Sequence, residues 1–254
     1  MDYSKYKLFV FDLDGTLAPS KTAIDIEMRD LLIELLKRRL VAVVSGAMFS
    51  RFEEQLLKSL NSGFENLHIF PTNGTRYMKY ENNGWIQVYY EPLSEDESAK
   101  ILVAFEKALK ELNYKNPDQI FGEIIENRGG QVTFSALGQK APLSDKLAWQ
   151  KNNKPVLEKI SLKVQELLPE FEVKVAGTTS VDVTHNGIDK KYAIEKMKEY
   201  FNLKSSDILF IGDSLTKGSN DYPALLSGVQ CIRVGNIDDT KEVILHILSQ
   251  LDQL

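Results

Sequence analysis

The sequence contains very little cysteine, and this scarcity excludes several classes of protein. Its 254 residues include one cysteine, Cys231, so the chain can form neither an internal disulfide nor a cysteine-rich metal site. The three histidines are scattered along the chain and indicate no shared site. A single thiol in a strand-like apolar run is compatible with a reducing compartment, and we expect a cytoplasmic protein.

Long apolar runs are also absent. The first run, residues 8–11, stops at Asp12 and is too short for a secretion signal. No later run approaches the roughly 18 consecutive apolar residues that a membrane helix needs. Acidic residues outnumber basic ones by 36 to 31, which gives a net charge of −5 and argues against nucleic acid as a partner. The sequence therefore predicts a soluble globular protein that binds neither membranes nor nucleic acid.

Strand and helix patterns alternate at both ends of the chain. Three short apolar runs are typical of buried parallel strands: residues 7–11, 41–44 and 208–211. Helical spacing of apolar residues, or flanking helix signals, predicts helices at residues 26–39, 49–60, 190–201 and 240–251, with a short strand at 68–71. This alternation predicts an α/β fold with a doubly wound, Rossmann-like parallel sheet.

The middle third has a different pattern. Four segments alternate apolar and polar residues, as half-exposed antiparallel strands do: residues 85–90, 131–135, 172–176 and 180–184. Two helices are predicted at residues 95–112 and 155–168, and residues 142–154 are predicted to form a polar loop. We therefore expect an α+β domain, residues 83–186, inserted into a core formed by residues 1–82 and 187–254.

Carboxylates follow two of the predicted parallel strands. Asp12 and Asp14 end the first strand, where open α/β sheets bind their ligands. On its own this pattern also fits a turn whose aspartates cap the next helix, and it fits a calcium loop poorly. The loop after a later strand adds three oxygen donors of the kind that magnesium prefers: Asp213, Asn220 and Asp221.

A hydroxyl and a lysine complete this group of polar residues. Ser45 ends a third predicted strand, and Lys190 begins a predicted helix, although a solvated lysine beside Lys191 is the alternative. Ser45 lacks the preceding glycine of a nucleophile elbow, and no Walker loop or glycine-rich dinucleotide loop is present. A cation and a lysine can offset the repulsion between an attacking carboxylate and a phosphate, so the group suits phosphoryl transfer.

Taken together, these four loops resemble the four motifs of the haloacid dehalogenase superfamily, in its phosphatase and phosphomutase branch. The resemblance implies that Asp12 is a nucleophile that forms an aspartyl-phosphate and that Asp14 is the general acid and base. It implies that Ser45 and Lys190 hold the phosphoryl oxygens. It also implies a Mg²⁺ ion, with these ligands or supports: the Asp12 carboxylate, the Asp14 backbone carbonyl, Asp213, Asn220 and Asp221.

The insert resembles the large cap of the subfamily that includes Cof-type sugar phosphatases and eukaryotic-type phosphomannomutases. The segment Gly187-Ile188-Asp189-Lys190 and the long spacing from Asp213 to Asn220 are closest to the mutase-like group. By this resemblance the residues that contact the sugar and its second phosphate are Lys21, Arg128, Gln139, Lys146, Ser180 and Asp182, although Arg128 and Lys146 also fit ordinary surface charge.

Departures from the mutase pattern favour hydrolysis. Gln139 stands where the mutases carry an arginine, and Lys21 and Lys146 also replace arginines, so the bidentate grip on a distal phosphate is weakened. Ser45-Gly46-Ala47 resembles general sugar phosphatases instead. The resemblance therefore implies a magnesium-dependent phosphatase acting on a small phosphorylated metabolite such as a sugar phosphate. The alternatives are a phosphomannomutase and a non-catalytic phosphosugar-binding protein.

Overall fold

A computed structural model describes residues 1–20 and 22–253. The chain forms two compact units, a core unit (Met1–Tyr90 with Asp189–Leu254) and an inserted unit (Glu91–Ile188). The strands in chain order are β1 (Leu8–Asp12), β2 (Leu40–Val44), β3 (Leu67–Phe70), β4 (Arg76–Glu81), β5 (Gly84–Tyr90), β6 (Ile125–Asn127), β7 (Val132–Ser135), β8 (Phe171–Ala176), β9 (Ser180–His185), β10 (Ile208–Gly212) and β11 (Gln230–Arg233). The α-helices are α1 (Ile26–Leu36), α2 (Phe49–Phe52), α3 (Glu95–Glu111), α4 (Leu143–Leu167), α5 (Lys190–Phe201), α6 (Tyr222–Leu226) and α7 (Ile237–Leu251).

The core unit is built on a seven-stranded sheet in the order β11-β10-β1-β2-β3-β4-β5. The strands from β11 to β3 are parallel to one another, β4 pairs antiparallel with β3, and β5 pairs antiparallel with β4. Alternate residues of β1 point to opposite faces of the sheet. Phe9 and Phe11 pack in the cluster that contains α1 and α7, whereas Leu8 and Val10 pack in the cluster that contains α5. The predicted doubly wound α/β core is confirmed.

The inserted unit has its own antiparallel sheet in the order β6-β7-β9-β8. One face of this sheet carries Val132, Phe134, Val181 and Val183, which pack in one buried cluster with residues of α3 and α4. The neighbouring strand positions, one residue further along, are polar. This alternation is what a sheet with helices on one face requires, and it explains why the sequence pattern predicted these strands.

Two predicted elements differ in the structure. Residues 85–90, expected in the insert, form β5 at the edge of the core sheet, because alternation indicates a half-exposed strand without showing which sheet it joins. Residues 142–154 were expected as a loop, but α4 begins at Leu143 and continues through Pro155. Proline is favoured in the first turn of a helix, so the sequence indicated that a helix begins at Pro155.

A third difference concerns residues 49–60, predicted as one regular helix. The segment is a four-residue α-helix followed by a π-helical turn over Glu53–Leu57.

No helix within the described residues is long and apolar enough to cross a membrane.

Candidate active site

Three neighbouring parallel strands carry the predicted site residues at their carboxyl ends. Asp12 is the last residue of β1 and pairs in register with Val44, so Ser45 follows directly on the next strand. On the other side β10 ends at Gly212, and Asp213 follows it. Because parallel strands bring these ends to one edge of the sheet, residues far apart in sequence come together there.

Lys190 enters this group from the start of α5. The side chain of the preceding residue, Asp189, accepts hydrogen bonds from the backbone N–H groups of Lys191 and Tyr192, which caps the helix and sets its first turn. The Lys190 side chain is 1% exposed, and its Nζ donates to Oδ1 of Asp12 and to Oδ1 of Asp221. This burial is incompatible with the alternative of a solvated surface lysine.

Asp12, Asp213 and Asp221 form a cluster of carboxylates, with one oxygen of each lying within 4.8 Å of the others. When all three are ionised, these carboxylates and the one ammonium carry two net negative charges, which a divalent cation would balance. Oδ2 of Asp12 is buried and has no hydrogen-bond partner in the described part of the chain. Clustered carboxylate oxygens are the donors that magnesium prefers, so the residues fit this ion.

The pKa values of the cluster reflect its burial and its excess negative charge. Burial raises the pKa of Asp12 well above its usual range, with Lys190 opposing this effect and Asp221 adding to it. Burial, followed by the charge of Asp221, raises the pKa of Asp213 to about 6. Burial lowers the pKa of Lys190, but the charges of Asp12 and Asp221 outweigh it and raise the pKa overall. Lys190 is therefore the positively charged member of the group, and its charge opposes the rise in the pKa of Asp12 and of Asp213.

Two glycines allow the loops to approach each other closely. A Cβ on Gly15 would lie 2.7 Å from Oδ2 of Asp213, so only glycine lets the loop after β1 pass this carboxylate. A Cβ on Gly212 would collide with Oδ2 of Asp221 and would lie 2.7 Å from Cε1 of Phe210. That Asp221 oxygen accepts a hydrogen bond from the backbone N–H of Ser214 at 3.0 Å, which fixes its orientation.

The loop that carries Ser45 is held by backbone contacts with the residues after β3. The Ser45 side chain is buried, and its Oγ accepts from the N–H of Ala47 at 3.2 Å. Asn73 donates its N–H to the Ser45 carbonyl, and Thr72 donates to the Ala47 carbonyl, both at 3.0 Å. Thr72 and Asn73 have positive φ angles of 48° and 54°, and this conformation is strained for the β-branched Thr72.

In the inserted unit, Arg128 is surrounded by other polar side chains. Its Nε donates to Oε2 of Glu126 at 2.6 Å, and a second guanidinium nitrogen donates to Oε1 of Gln139 at 2.9 Å. Asp182 lies opposite Thr133 in the β7–β9 register, and its Oδ1 is buried with no partner among the residues described. Burial raises the pKa of Asp182, and the charge of Arg128 opposes this. The sheet thus brings Arg128, Gln139 and Asp182 into one polar group.

The remaining predicted residues are less closely grouped. Lys146 is buried in the first turns of α4, and Ser180 begins β9 opposite Ser135. Asn220 is exposed in the loop that precedes Asp221. Lys21 lies outside the described residues.

Comparison with known proteins shows which family the chain belongs to. The model of the eukaryotic phosphomannomutase family matches residues 28–250. The chain belongs to that family. Mouse phosphomannomutase 1 is 32% identical over 225 residues, covering 85% of this chain and 81% of its own. A probable phosphomannomutase of Caenorhabditis elegans is 26% identical over 259 residues and 98% of both chains.

Solved structures of phosphatases share the fold. A Plasmodium falciparum IMP-nucleotidase matches with a TM-score of 0.72 at 15% identity, covering 99% of this chain and 63% of that chain. A trehalose-6-phosphate phosphatase related protein matches with a TM-score of 0.57 at 15% identity, covering 97% and 99%. At these identities the similarity supports the fold alone.

The family model and the relatives confirm the predicted resemblance to the haloacid dehalogenase superfamily and its phosphomannomutase group.

One residue of this phosphomannomutase-family site was not foreseen. The side chain of Gln55, 41 residues further along the chain, donates from Nε2 to Oδ1 of Asp14 at 3.1 Å. In the sequence Gln55 is one polar residue in a segment predicted as a regular helix, with no motif to mark it. Only its placement in the π-helical turn brings it to Asp14.

Proposed function

We propose that the protein is a magnesium-dependent phosphatase that hydrolyses a small phosphomonoester, such as a sugar phosphate, through an aspartyl-phosphate on Asp12. The observation that carries this proposal is the buried Asp12 carboxylate in contact with the Lys190 ammonium and beside two further carboxylates. Binding alone does not require this arrangement, because burying several like charges makes folding less favourable. A nucleophile that must meet a phosphate dianion does require it.

Asp12 and Asp14 have separate roles in the proposed reaction. In the first step a carboxylate oxygen of Asp12 bonds to phosphorus, the bond from phosphorus to the ester oxygen breaks, and Asp14 gives its proton to the leaving alkoxide. In the second step Asp14 takes a proton from water as the water oxygen bonds to phosphorus. The acyl phosphate bond then breaks, which releases inorganic phosphate and restores Asp12.

The surrounding residues control charge during both steps. Lys190 holds Asp12 through Oδ1 and offsets negative charge as the phosphoryl group approaches. We propose that Ser45 binds a phosphoryl oxygen, since its loop follows the neighbouring strand. Asp12, Asp213 and Asp221 would hold Mg²⁺, with Asp14 and Asn220 as the further predicted supports. Bound there, the ion would neutralise charge on the transferring phosphoryl group.

The polar face of the inserted sheet is the proposed binding surface for the sugar, through Arg128, Gln139, Ser180 and Asp182. Lys146 and Lys21, the latter outside the described residues, are further proposed sugar contacts. Water is the proposed phosphoryl acceptor because the positive charge of this face is already offset. Arg128 is ion-paired with Glu126 and contacts the neutral Gln139. A mutase must grip the distal phosphate of a bisphosphorylated intermediate, which requires dense positive charge. Family membership is the specific observation that favours the second candidate, a phosphomannomutase.

One assay separates the two candidates. Mannose 1-phosphate or glucose 1-phosphate is incubated with the protein, Mg²⁺ and catalytic hexose 1,6-bisphosphate, and hexose 6-phosphate and free phosphate are measured together. We expect phosphate release to exceed isomerisation; the reverse result would establish the mutase. Asp12→Asn is the matched control and should abolish both products, because its amide is a poor nucleophile.

The variant Gln139→Arg tests the charge argument. It adds a positive charge beside Arg128, so we expect it to tighten hexose bisphosphate binding more than monophosphate binding. Equal changes in the two affinities would contradict a role for this position in distinguishing them.

A further inference from the structure

Gln55 is a buried polar residue in the core unit, and it makes hydrogen bonds through both its side chain and its backbone carbonyl. Its side chain is almost completely buried, at 1% exposed, and it lies in the π-helical turn Glu53–Leu57. In this turn Lys58 donates its N–H to the Glu53 carbonyl, five residues back. Such turns are rare, and they are frequent at functional sites.

The turn attaches Gln55 to the segment that follows the Asp14 loop. The backbone carbonyl of Gln55 accepts from the N–H of Ile24 at 2.8 Å, outside the helical pattern. Its side-chain Nε2 donates to the Thr22 carbonyl at 3.1 Å. Gln55 thus holds this segment through both its main chain and its side chain.

The same Nε2 donates to Oδ1 of Asp14 at 3.1 Å. A primary amide nitrogen has two hydrogens, and the Thr22 carbonyl and the Asp14 carboxylate account for both. The orientation of the amide is fixed, because turning it over would place Oε1 against two acceptors. Oε1 is buried with no hydrogen-bond partner among the described residues. An orphaned buried oxygen is unfavourable for folding, so stability alone does not account for a glutamine here.

We infer that Gln55 is a positioning residue for Asp14. This inference rests on the proposed function, in which Asp14 carries the proton to and from the ester and water oxygens. Because Nε2 of Gln55 donates to Oδ1 of Asp14, Gln55 restricts the orientation of this carboxyl group. Gln55 thereby sets the direction in which this carboxyl group faces the leaving alkoxide.

The test uses a leaving-group series on the full chain. Gln55→Met keeps the shape of the side chain and removes both donors. A leaving group that needs protonation depends on Asp14, whereas p-nitrophenolate leaves without it. We expect kcat/KM, which reports the first step alone, to fall about tenfold or more for alkyl phosphates and to change by less than about threefold for p-nitrophenyl phosphate, since a well-placed acid contributes roughly a hundredfold or more.

Two further variants separate positioning from general damage. In an Asp14→Asn background, Gln55→Met should have no additional effect, because its target is already gone. Leu60→Ala removes buried volume from the hydrophobic cluster that contains Leu56 and Leu57, the residues after Gln55, and should lower the melting temperature without selecting between alkyl and aryl phosphates. If Gln55→Met does not fold, Gln55→Asn replaces it, since the shorter amide cannot reach both acceptors and should give the same selective loss.

Equal losses on alkyl and aryl phosphates, or losses that multiply with Asp14→Asn, would overturn the role of Gln55 while leaving the phosphatase proposal standing. Absence of metal-dependent turnover in the wild type would instead refute the proposed function. In that case the crystal structure of Gln55→Met decides the positioning role. A displaced Asp14 carboxylate supports it, and an unchanged carboxylate rejects it.

Discussion

At the residue scale, Asp12 is subject to opposing effects. Burial and the charge of Asp221 raise its pKa, while Lys190 favours the ionised form that the proposed nucleophile needs. Since one lysine serves both Asp12 and Asp221, it cannot compensate for the whole cluster. A divalent cation at these carboxylates would supply the missing positive charge, so the proposed function links metal binding to the ionisation of Asp12.

Removing one carboxylate should therefore remove metal affinity. We expect Asp213→Ala to abolish magnesium binding in a calorimetric titration and to abolish turnover with it, because a hard cation loses a charged oxygen ligand. Asp252→Ala is the control, since this exposed aspartate pairs with Arg38 outside the cluster and should leave both quantities unchanged. Equal magnesium affinity in the two variants would exclude Asp213 as a ligand.

His68 gives the core unit a predicted dependence of stability on pH. Burial, followed by the charge of Lys79, lowers the pKa of His68 from 6.5 to about 4. Its Nδ1 is 2.8 Å from the Tyr77 hydroxyl, and the ring of Phe201 packs against it with centroids 4.6 Å apart. The folded state holds the neutral imidazole, whereas the unfolded chain gains a proton below pH 6.5. Stability from this residue is therefore present above pH 6.5 and lost as the pH falls towards 4.

The expected loss is about 3 kcal/mol in the free energy of unfolding between pH 7 and pH 4. It is measured by urea denaturation of the wild type and of His68→Gln at both pH values. The variant should lose less stability on acidification by about this amount. Parallel pH profiles for the two proteins would show that His68 does not contribute.

At the element scale, the carboxyl end of β10 has no room for a side chain. We expect Gly212→Ala to lower the free energy of unfolding by about 1–3 kcal/mol, because its methyl group would displace Asp221 or Phe210. Magnesium affinity should fall as well, since Asp221 belongs to the carboxylate cluster. Gly84→Ala is a matched control in β5, where no heavy atom lies within 4 Å of the added methyl group. Similar effects of the two substitutions would contradict the close approach at Gly212.

Element boundaries show the limits of local patterns. The helix at residues 190–201 was predicted with the bounds that the structure shows, because the capping Asp189 and the apolar spacing are both local features. The π-helical turn at Glu53–Leu57 and the continuation of α4 through Pro155 were not predicted. Both depart from the regular helical rules, and tertiary contacts such as the bond from Ile24 to the Gln55 carbonyl stabilise the departure.

At the scale of the whole molecule, the inserted unit has a hydrophobic cluster of its own. The hydrophobic cluster of the inserted unit contains residues from Glu91–Ile188 alone. We therefore expect this segment, expressed by itself, to unfold cooperatively with heat and to show dispersed amide resonances. Phe134→Ala in the isolated segment should abolish this transition or lower its midpoint, since Phe134 is fully buried in the cluster. A non-cooperative melt of the unmutated segment would contradict its independence.

The sequence by itself determined the strand-end carboxylates, the lysine at the start of α5, the class of fold and the resemblance to a phosphoryl-transfer superfamily. These features depend on periodicity, capping and short motifs, which act over a few neighbouring residues. The tertiary structure alone decided that β5 joins the core sheet, that Asp221 shares Lys190 with Asp12, and that Gln55 contacts Asp14. Those outcomes depend on which distant segments pack together, because sheet order and side-chain burial arise only when the whole chain folds.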